Sequence, residues 1–99
     1  MDLMRILLAL DDSGSSEAAA DSVTTQFAAR NTEVNLLHVL EPYPAILLEE
    51  IGGKNSPYFV TARTRQRELA KEFLGEAAGR LRAAGFKVNI CVHERAREP

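Results

Sequence analysis

The chain has 99 residues, of which 45% are hydrophobic and 26% are charged, and its formal net charge is −2. This composition is typical of one small globular domain, and the length excludes a second. No run of lysine and arginine with interleaved aromatic residues occurs, so the sequence predicts neither a nucleic-acid-binding nor a membrane-surface protein. The chain has one cysteine, Cys91, and its N-terminal apolar core, Ile6 to Leu10, is too short for a signal peptide or a membrane span. We therefore expect a soluble cytoplasmic protein.

The first half of the chain predicts a strand followed by a helix. Met4 to Leu10 is apolar almost throughout, which is typical of a strand covered on both faces of a parallel sheet. An alanine-rich segment with apolar residues at helical spacing then predicts a helix from Ser16 to Arg30. Three serines are the candidate N-caps of this helix: Ser13, Ser15 and Ser16.

The second half predicts two more strands and a long helix. Glu33 to Leu40 reads as the second strand, and residues Glu41 to Val60 as a long loop with one short helical turn near Leu47. A wide apolar stripe predicts a helix from Thr61 to Ala84, and Phe86 to Val92 reads as the third strand. The alternation of strands and helices predicts an α/β fold, an open parallel sheet with helices on its faces and the second strand in the middle.

Two adjacent carboxylates, Asp11 and Asp12, follow the first strand directly. Ligands of open parallel sheets collect just beyond the carboxyl ends of the strands, where a carboxylate accepts hydrogen bonds from a ligand or holds a divalent cation. Alternatively, the two aspartates end the strand and cap the following helix together with the serines. Their position alone leaves both interpretations open.

The other polar residues with chemical potential favour structural roles. His38 lies inside an apolar strand without a second ligand at suitable spacing, so we expect a hydrogen-bonded core residue. His93 and Glu94 have no third ligand or nucleophile beside them, and no catalytic triad can be assembled. Three arginines near the start of the long helix are expected to be solvated: Arg63, Arg65 and Arg67.

Three segments in order carry a resemblance to a known family. They are LLALDDSGSSEAA at the start, LLHVLEP in the second strand, and the long helix followed by FKVNICV. Together they resemble the universal stress protein family over residues 1–99. The resemblance implies a Rossmann-like fold of the adenine nucleotide alpha hydrolase type, incomplete because it stops after the third strand. It also implies a regulator in the stress response that is not an efficient enzyme.

The resemblance extends to a ligand site. Family members that bind ATP are similar to this chain at Ala9, Leu10 and Asp11, which would approach the adenine and ribose, and at Val39, which would flank the base. The family's phosphate-binding glycines, which follow a fourth strand, have no counterpart here, and Gly52–Gly53 lacks the strand-turn-helix context. The expected ligand is ATP or another adenine nucleotide, with no metal cofactor.

Two other functions stay open. A module of the same fold that serves dimerisation or protein interaction without binding nucleotide fits the missing phosphate-binding segment. The segment LLALDD is also similar to the start of a phosphoacceptor receiver domain, where an acidic pair holds magnesium. That function requires an aspartate at the end of the third strand, where this chain has Val92, His93 and Glu94.

The first strand also predicts a homo-oligomer. In the family's strand order it lies between the second strand and a fourth, and no fourth strand is found in the sequence. Residues Ile6 to Leu10 would then form an unprotected apolar edge, which soluble proteins avoid. Arg97 to Pro99 stands where the family has the turn that opens its third helix. We therefore expect either that the natural protein continues past Pro99 or that a second copy covers the first strand.

Overall fold

The computed structural model describes residues 3–95, apart from the side chain of Ser13, and the predicted turn at Arg97 to Pro99 lies outside them. Within these residues three parallel strands form one sheet in the order β1–β2–β3. The strands are β1 (Met4–Ala9), β2 (Thr32–Leu40) and β3 (Lys87–Glu94), and the helices are α1 (Ser13–Gln26), a 3-10 turn (Ala29–Asn31), α2 (Ala45–Ile51) and α3 (Pro57–Ala83). The predicted open parallel sheet, with the second strand in the middle, is confirmed.

The core lies between one face of the sheet and the two long helices. Val34 and Leu36 of β2 are wholly buried against Leu74 and Leu81 of α3, and α1 adds Val23 to the same cluster. Side chains two apart on a strand share a face, so Val34, Leu36 and Leu40 point toward these helices, whereas Leu37 and Val39 lie on the opposite face. Burying each such side chain contributes about 2 kcal/mol, which makes this face the main source of stability.

The opposite face of the sheet is open within residues 3–95. Leu7 of β1 is 68% exposed there, and it pairs in register with Asn35 of β2, which pairs with Asn89 of β3. The Asn89 amide donates to Glu33 Oε1 at 2.8 Å and to Asn35 Oδ1 at 3.1 Å. The long helices of the described part therefore cover one face, whereas the apolar run of β1 predicts cover on both.

Helix α1 starts earlier than expected and has a different cap. Asp12 is the N-cap: its Oδ1 accepts a hydrogen bond from the Ser15 backbone N–H at 2.8 Å, and Ser15 Oγ accepts from the Asp12 N–H at 3.3 Å. The prediction of a serine N-cap is wrong because the Asp12 carboxylate already satisfies the free N–H of the first turn. The helix ends at Gln26 rather than at Arg30, and an extended Phe27 follows.

Two further boundaries bear on the sheet edge. Helix α3 begins at Pro57 rather than at Thr61, because Ser56 Oγ caps it by accepting from the Tyr58 N–H at 3.2 Å and proline suits the first helical position. Strand β3 runs to Glu94 rather than stopping at Val92, so the Glu94 side chain is held by regular structure. The helical turn expected near Leu47 is confirmed as α2.

In the described part of the chain, no helix is both long and apolar enough to cross a bilayer.

Candidate functional site

Several depressions lie at the edge of the sheet where the parallel strands end, the usual place for ligands in open α/β sheets, and two of them contain charged groups of opposite kinds. The first, here called the acidic cleft, has a volume of about 470 Å³ and is lined by Asp11, Asp12, Leu69, Glu72, Phe73 and Glu76. The second, the arginine cavity, has a volume of about 270 Å³ and is lined by Pro42, Tyr43, Leu48, Lys54, Phe59, Arg63, Glu94 and Arg95. The acidic cleft follows β1, and the arginine cavity follows β2 and β3.

The structure places Asp11 and Val39, two of the predicted ligand residues, at this same edge. Asp11 is exposed in the acidic cleft, and its carboxylate has no hydrogen-bond or ion-pair partner in residues 3–95. Val39 is half-buried and lines a shallow groove that shares Leu69 and Phe73 with the acidic cleft. The two residues are thus connected by one apolar wall on α3 rather than by direct contact.

The other two predicted residues are placed differently. The Leu10 side chain is 3% exposed in the core; its N–H donates to the Leu37 carbonyl at 2.8 Å, and its carbonyl accepts from His38 Nδ1 at 2.7 Å. Ala9 is exposed on the open face of the sheet. The bond from His38 confirms that this histidine is a satisfied, partly buried residue, and its ring centre lies 5.0 Å from that of Phe73 in an edge-to-face arrangement.

Negative charge dominates the acidic cleft. The Ser15 backbone N–H is the main cause of a lowered pKa at Asp12, with the Ser15 hydroxyl and the Gly14 N–H adding to it. Asp12 is therefore ionised and occupied as a helix cap, which confirms the structural interpretation for this residue. Asp11 is left as the free acceptor. No three histidine, cysteine, aspartate or glutamate side chains in residues 3–95 converge closely enough to hold a metal ion.

Arg63 is the central residue of the arginine cavity. It is 4% exposed, so the expectation that it is solvated is wrong. Its Nη1 donates to Gln66 Oε1 at 2.9 Å and its Nη2 to the Glu41 carbonyl at 2.7 Å. The guanidinium lies 4.8 Å from the ring centre of Tyr43 and 5.7 Å from that of Phe59, within the range of cation–π attraction.

Glu94 joins Arg63 to a second arginine. Its Oε2 accepts from Arg67 Nη2 at 2.5 Å, and its Oε1 lies 3.0 Å from Arg63 Nε. Arg63 Nε is buried and pairs with that oxygen as an ion pair, without the geometry of a well-formed hydrogen bond. The hydrogen bond from Arg67 is the main cause of a lowered pKa at Glu94, and the charges of Arg67 and Arg63 add to it.

Sequence reasoning missed this group, although one signal was available. Arg63 and Arg67 are four residues apart on a helix, so they lie on one face. A carboxylate at the end of a strand, Glu94, is a natural partner for two such cations. The pairing was hidden because the predicted third strand stops at Val92 and leaves Glu94 outside it.

The comparisons with known proteins agree on the fold. The structure is similar to that of the hypothetical protein MJ0577, with a TM-score of 0.67 and 22% identity, over 95% of this chain and 60% of that one. It is also similar to a universal stress protein from Archaeoglobus fulgidus, with a TM-score of 0.50 and 22% identity, over 100% of this chain and 62% of that one. At such identity the likeness shows the fold alone, and the chain spans about 60% of the length of these solved chains.

A family model decides the wider assignment. No curated protein matches the sequence. The model described as the universal stress protein family matches residues 3–99, nearly the whole chain. This match sets aside the receiver-domain alternative, which also lacks its third aspartate in β3. The chain belongs to the universal stress protein family.

Proposed function

We propose that this chain is a cytoplasmic regulator in the stress response that binds an adenine nucleotide at the acidic cleft and does not act as an enzyme. Membership of the universal stress protein family supports the stress-response role, which is general to that family. The binding site is supported by the chain's own residues, as follows.

The observation that carries the proposal is the free carboxylate of Asp11 beside an apolar wall. A ribose offers two hydroxyl donors, and an exposed carboxylate without a protein partner is a good acceptor for them. Leu69 and Phe73 extend from Asp11 toward Val39 and offer a surface on which a planar base packs. The ribose would lie at Asp11 and the adenine along this wall toward Val39.

The charge of the acidic cleft limits how a nucleotide fits. Glu72 and Glu76 stand on the same helix beside Asp11, and triphosphate oxygens close to them would be repelled. The acidic cleft therefore suits the nucleoside end of the ligand, with the phosphates directed away from α3. We expect adenosine to retain a large share of the affinity of ATP.

Calorimetric titration with ATP and with adenosine tests this function. Asp11→Ala is expected to weaken both ligands by more than about tenfold, or roughly 1.4 kcal/mol, because the ribose loses its acceptor. Asp21→Ala is the matched control, since Asp21 is an exposed aspartate on α1 that does not line the acidic cleft. An affinity that is unchanged in Asp11→Ala would remove Asp11 from the site.

The alternative is a homodimeric interaction module that binds no nucleotide. The carboxylates of the acidic cleft favour it, because they oppose a polyanionic ligand. So does the exposed apolar side of β1, where Met4 is 50% and Leu7 is 68% exposed. A chain that sediments as a dimer and shows no heat with millimolar ATP or adenosine would support this module over the nucleotide binder.

A further inference from the structure

A side chain ties the end of β1 to β2. The pairing of the two strands reaches the Leu10 N–H, which donates to the Leu37 carbonyl at 2.8 Å. The next group along the chain, the Leu10 carbonyl, accepts from His38 Nδ1 at 2.7 Å. A carbonyl can only accept, so the imidazole ring carries a proton on Nδ1 in this bond. The Leu10 carbonyl and the Asp11 N–H belong to one planar peptide group, and the bond from His38 therefore orients the backbone that leads into Asp11.

The same imidazole ring contacts the apolar wall on α3. The rings of His38 and Phe73 lie edge to face, with an angle of 87° between their planes, an arrangement that aromatic rings favour. Phe73 packs against the core and lines both the acidic cleft and the shallow groove next to Val39. One half-buried side chain therefore contacts the backbone before Asp11 and also the wall on which a base would pack.

Asp11 itself lies between two anchored neighbours. On the helix side, Asp12 is held because its Oδ1 accepts from the Ser15 N–H at 2.8 Å. On the sheet side, Leu10 is held by the bond from His38. The Asp11 carboxylate has no hydrogen bond of its own within residues 3–95, so its position relative to the wall depends on these two anchors.

We propose that His38 is a positioning residue, which holds the Asp11 carboxylate at a fixed place relative to the Phe73 wall without contacting the ligand. For the ligand this inference rests on the proposed nucleoside site. A nucleoside is a single body that has to meet the carboxylate with its ribose and the wall with its base. Binding groups that are already aligned cost less to order when the ligand arrives. His38 supplies this alignment through the Leu10 peptide group.

Two amide variants test the proposal in the absence of ligand. In His38→Asn the amide donates from about the place of Nδ1, whereas in His38→Gln it lies farther out, at about the place of Nε2. Both variants lose the ring contact with Phe73, so they differ mainly in the bond to the Leu10 carbonyl. In nuclear magnetic resonance relaxation the order parameter of the Asp11 N–H should stay near about 0.85 in His38→Asn and fall toward about 0.6 in His38→Gln.

Controls for this measurement use the same samples. The Asp21 N–H in α1 should keep its order parameter in both variants, because Asp21 is in the middle of a helix and away from the strand ends. His38→Leu, which has no donor at all, replaces His38→Gln if the glutamine variant does not fold. An Asp11 N–H that is equally rigid with and without a donor at this position would overturn the proposal.

Calorimetric titration with adenosine and with free adenine tests the consequence for the ligand. His38→Gln should bind adenosine about fivefold more weakly than His38→Asn, since most of a hydrogen bond to a charged group is lost. Adenine has no ribose to reach Asp11, so its affinity should differ by less than about twofold between the two variants. In an Asp11→Ala background the difference for adenosine should vanish, because no carboxylate remains to be positioned.

The pattern distinguishes positioning from a merely structural role. A general loosening of the fold by His38→Gln would weaken adenosine and adenine alike and would persist in the Asp11→Ala background, and either result contradicts the proposal. A wild type that binds neither adenosine nor adenine would refute the proposed nucleotide function. The order parameters of the free chain would still decide whether His38 positions Asp11.

Discussion

The acidic cleft and the arginine cavity lie on one edge of the sheet, but most of the described charged side chains are unpaired in the first and paired in the second. Among residues 3–95, Asp11 in the acidic cleft is exposed and unpaired, and no cation lines the cleft beside Glu72 and Glu76. In the arginine cavity Arg63 is buried between two aromatic rings and shares Glu94 with Arg67. Charges that satisfy each other hold structure in place, whereas unpaired exposed charges are available to a ligand.

The difference follows from the length of the segment that connects each strand to the next helix. After β1 the chain turns at once into α1, so little backbone covers Asp11. After β2 a segment that contains Tyr43, α2 and the Ser56 cap returns to α3 and covers the end of β3. A long connection between β2 and α3 thus creates a buried environment that a short one cannot.

Removal of Arg63 should have the largest effect on stability, because the paired charges of the arginine cavity hold the structure in place and the free charge of Asp11 does not. Arg63→Met is expected to lower the free energy of unfolding by about 2 kcal/mol, because the Glu41 carbonyl and the Gln66 amide lose their donors in a partly buried place. Glu94 keeps Arg67 and is partly solvated, which holds the loss below that of a fully buried pair. Urea unfolding measures both this variant and Asp11→Asn, which should change stability by less than about 0.5 kcal/mol. Similar losses in the two variants would contradict the contrast.

The sheet could be predicted from the sequence because its signals are local. Each strand is a short apolar run, each helix has its own periodicity, and their alternation predicts a parallel sheet. The exposed position of Asp11 follows in the same way, since a carboxylate directly after an apolar strand of a parallel sheet lies at the ligand edge. The α3 start was missed although Ser56–Pro57 is a local signal, because a loop rich in proline and glycine masked it.

The spacing of Arg63 and Arg67 indicates a shared helix face, but the arginine cavity could not be predicted from it because the partners that bury Arg63 are distant in sequence. An arginine at the start of a helix normally faces solvent, and nothing adjacent to Arg63 indicates otherwise. Its burial depends on Tyr43 from the connection after β2 and on Glu94 from the end of β3. The predicted end of β3 was the critical boundary. If β3 ended at Val92, Glu94 would have no fixed position from which to pair with Arg63.

Acid should lower the free energy of unfolding, because Asp12 beside the acidic cleft and Glu94 beside the arginine cavity stabilise the fold only when they are ionised. Both carboxyl groups have a lowered pKa in the folded chain, so their ionised forms stabilise the fold. This stabilisation is fully present above the ordinary pKa values, 3.8 for aspartate and 4.5 for glutamate. It is lost as the pH falls through the lower pKa of each group in the folded chain. Asp12→Asn keeps an N-cap and removes only the charge, and Glu94→Gln does the same at the arginine pair. Each variant should be less stable than the wild type at neutral pH.

Urea midpoints measured from neutral pH down to about pH 2 check the sign of this effect. The deficit of each variant should shrink toward zero as the wild-type carboxylate becomes protonated. Asp21→Asn serves as a control carboxylate on the α1 surface. A deficit that stays constant over the whole range would show that the substitution acts through packing and not through the charge.

The smallest expected effect concerns the uncompensated charge of the acidic cleft, and it rests on the proposed nucleotide site. Glu72→Gln or Glu76→Gln should strengthen ATP binding by roughly twofold each, because one unit charge at about 8 Å in water costs about 0.5 kcal/mol against a phosphate charge. Glu68→Gln, on an exposed position of α3 outside the acidic cleft, should have no effect. Adenosine carries no charge, so its affinity should not change in any of the three variants. The gain for ATP should also disappear in high salt, where the screening length falls to about 3 Å at 1 M. An equal gain for adenosine would mean that the glutamates obstruct the nucleoside itself, and the ligand would then have to lie deeper along Leu69 and Phe73 than the charge argument places it.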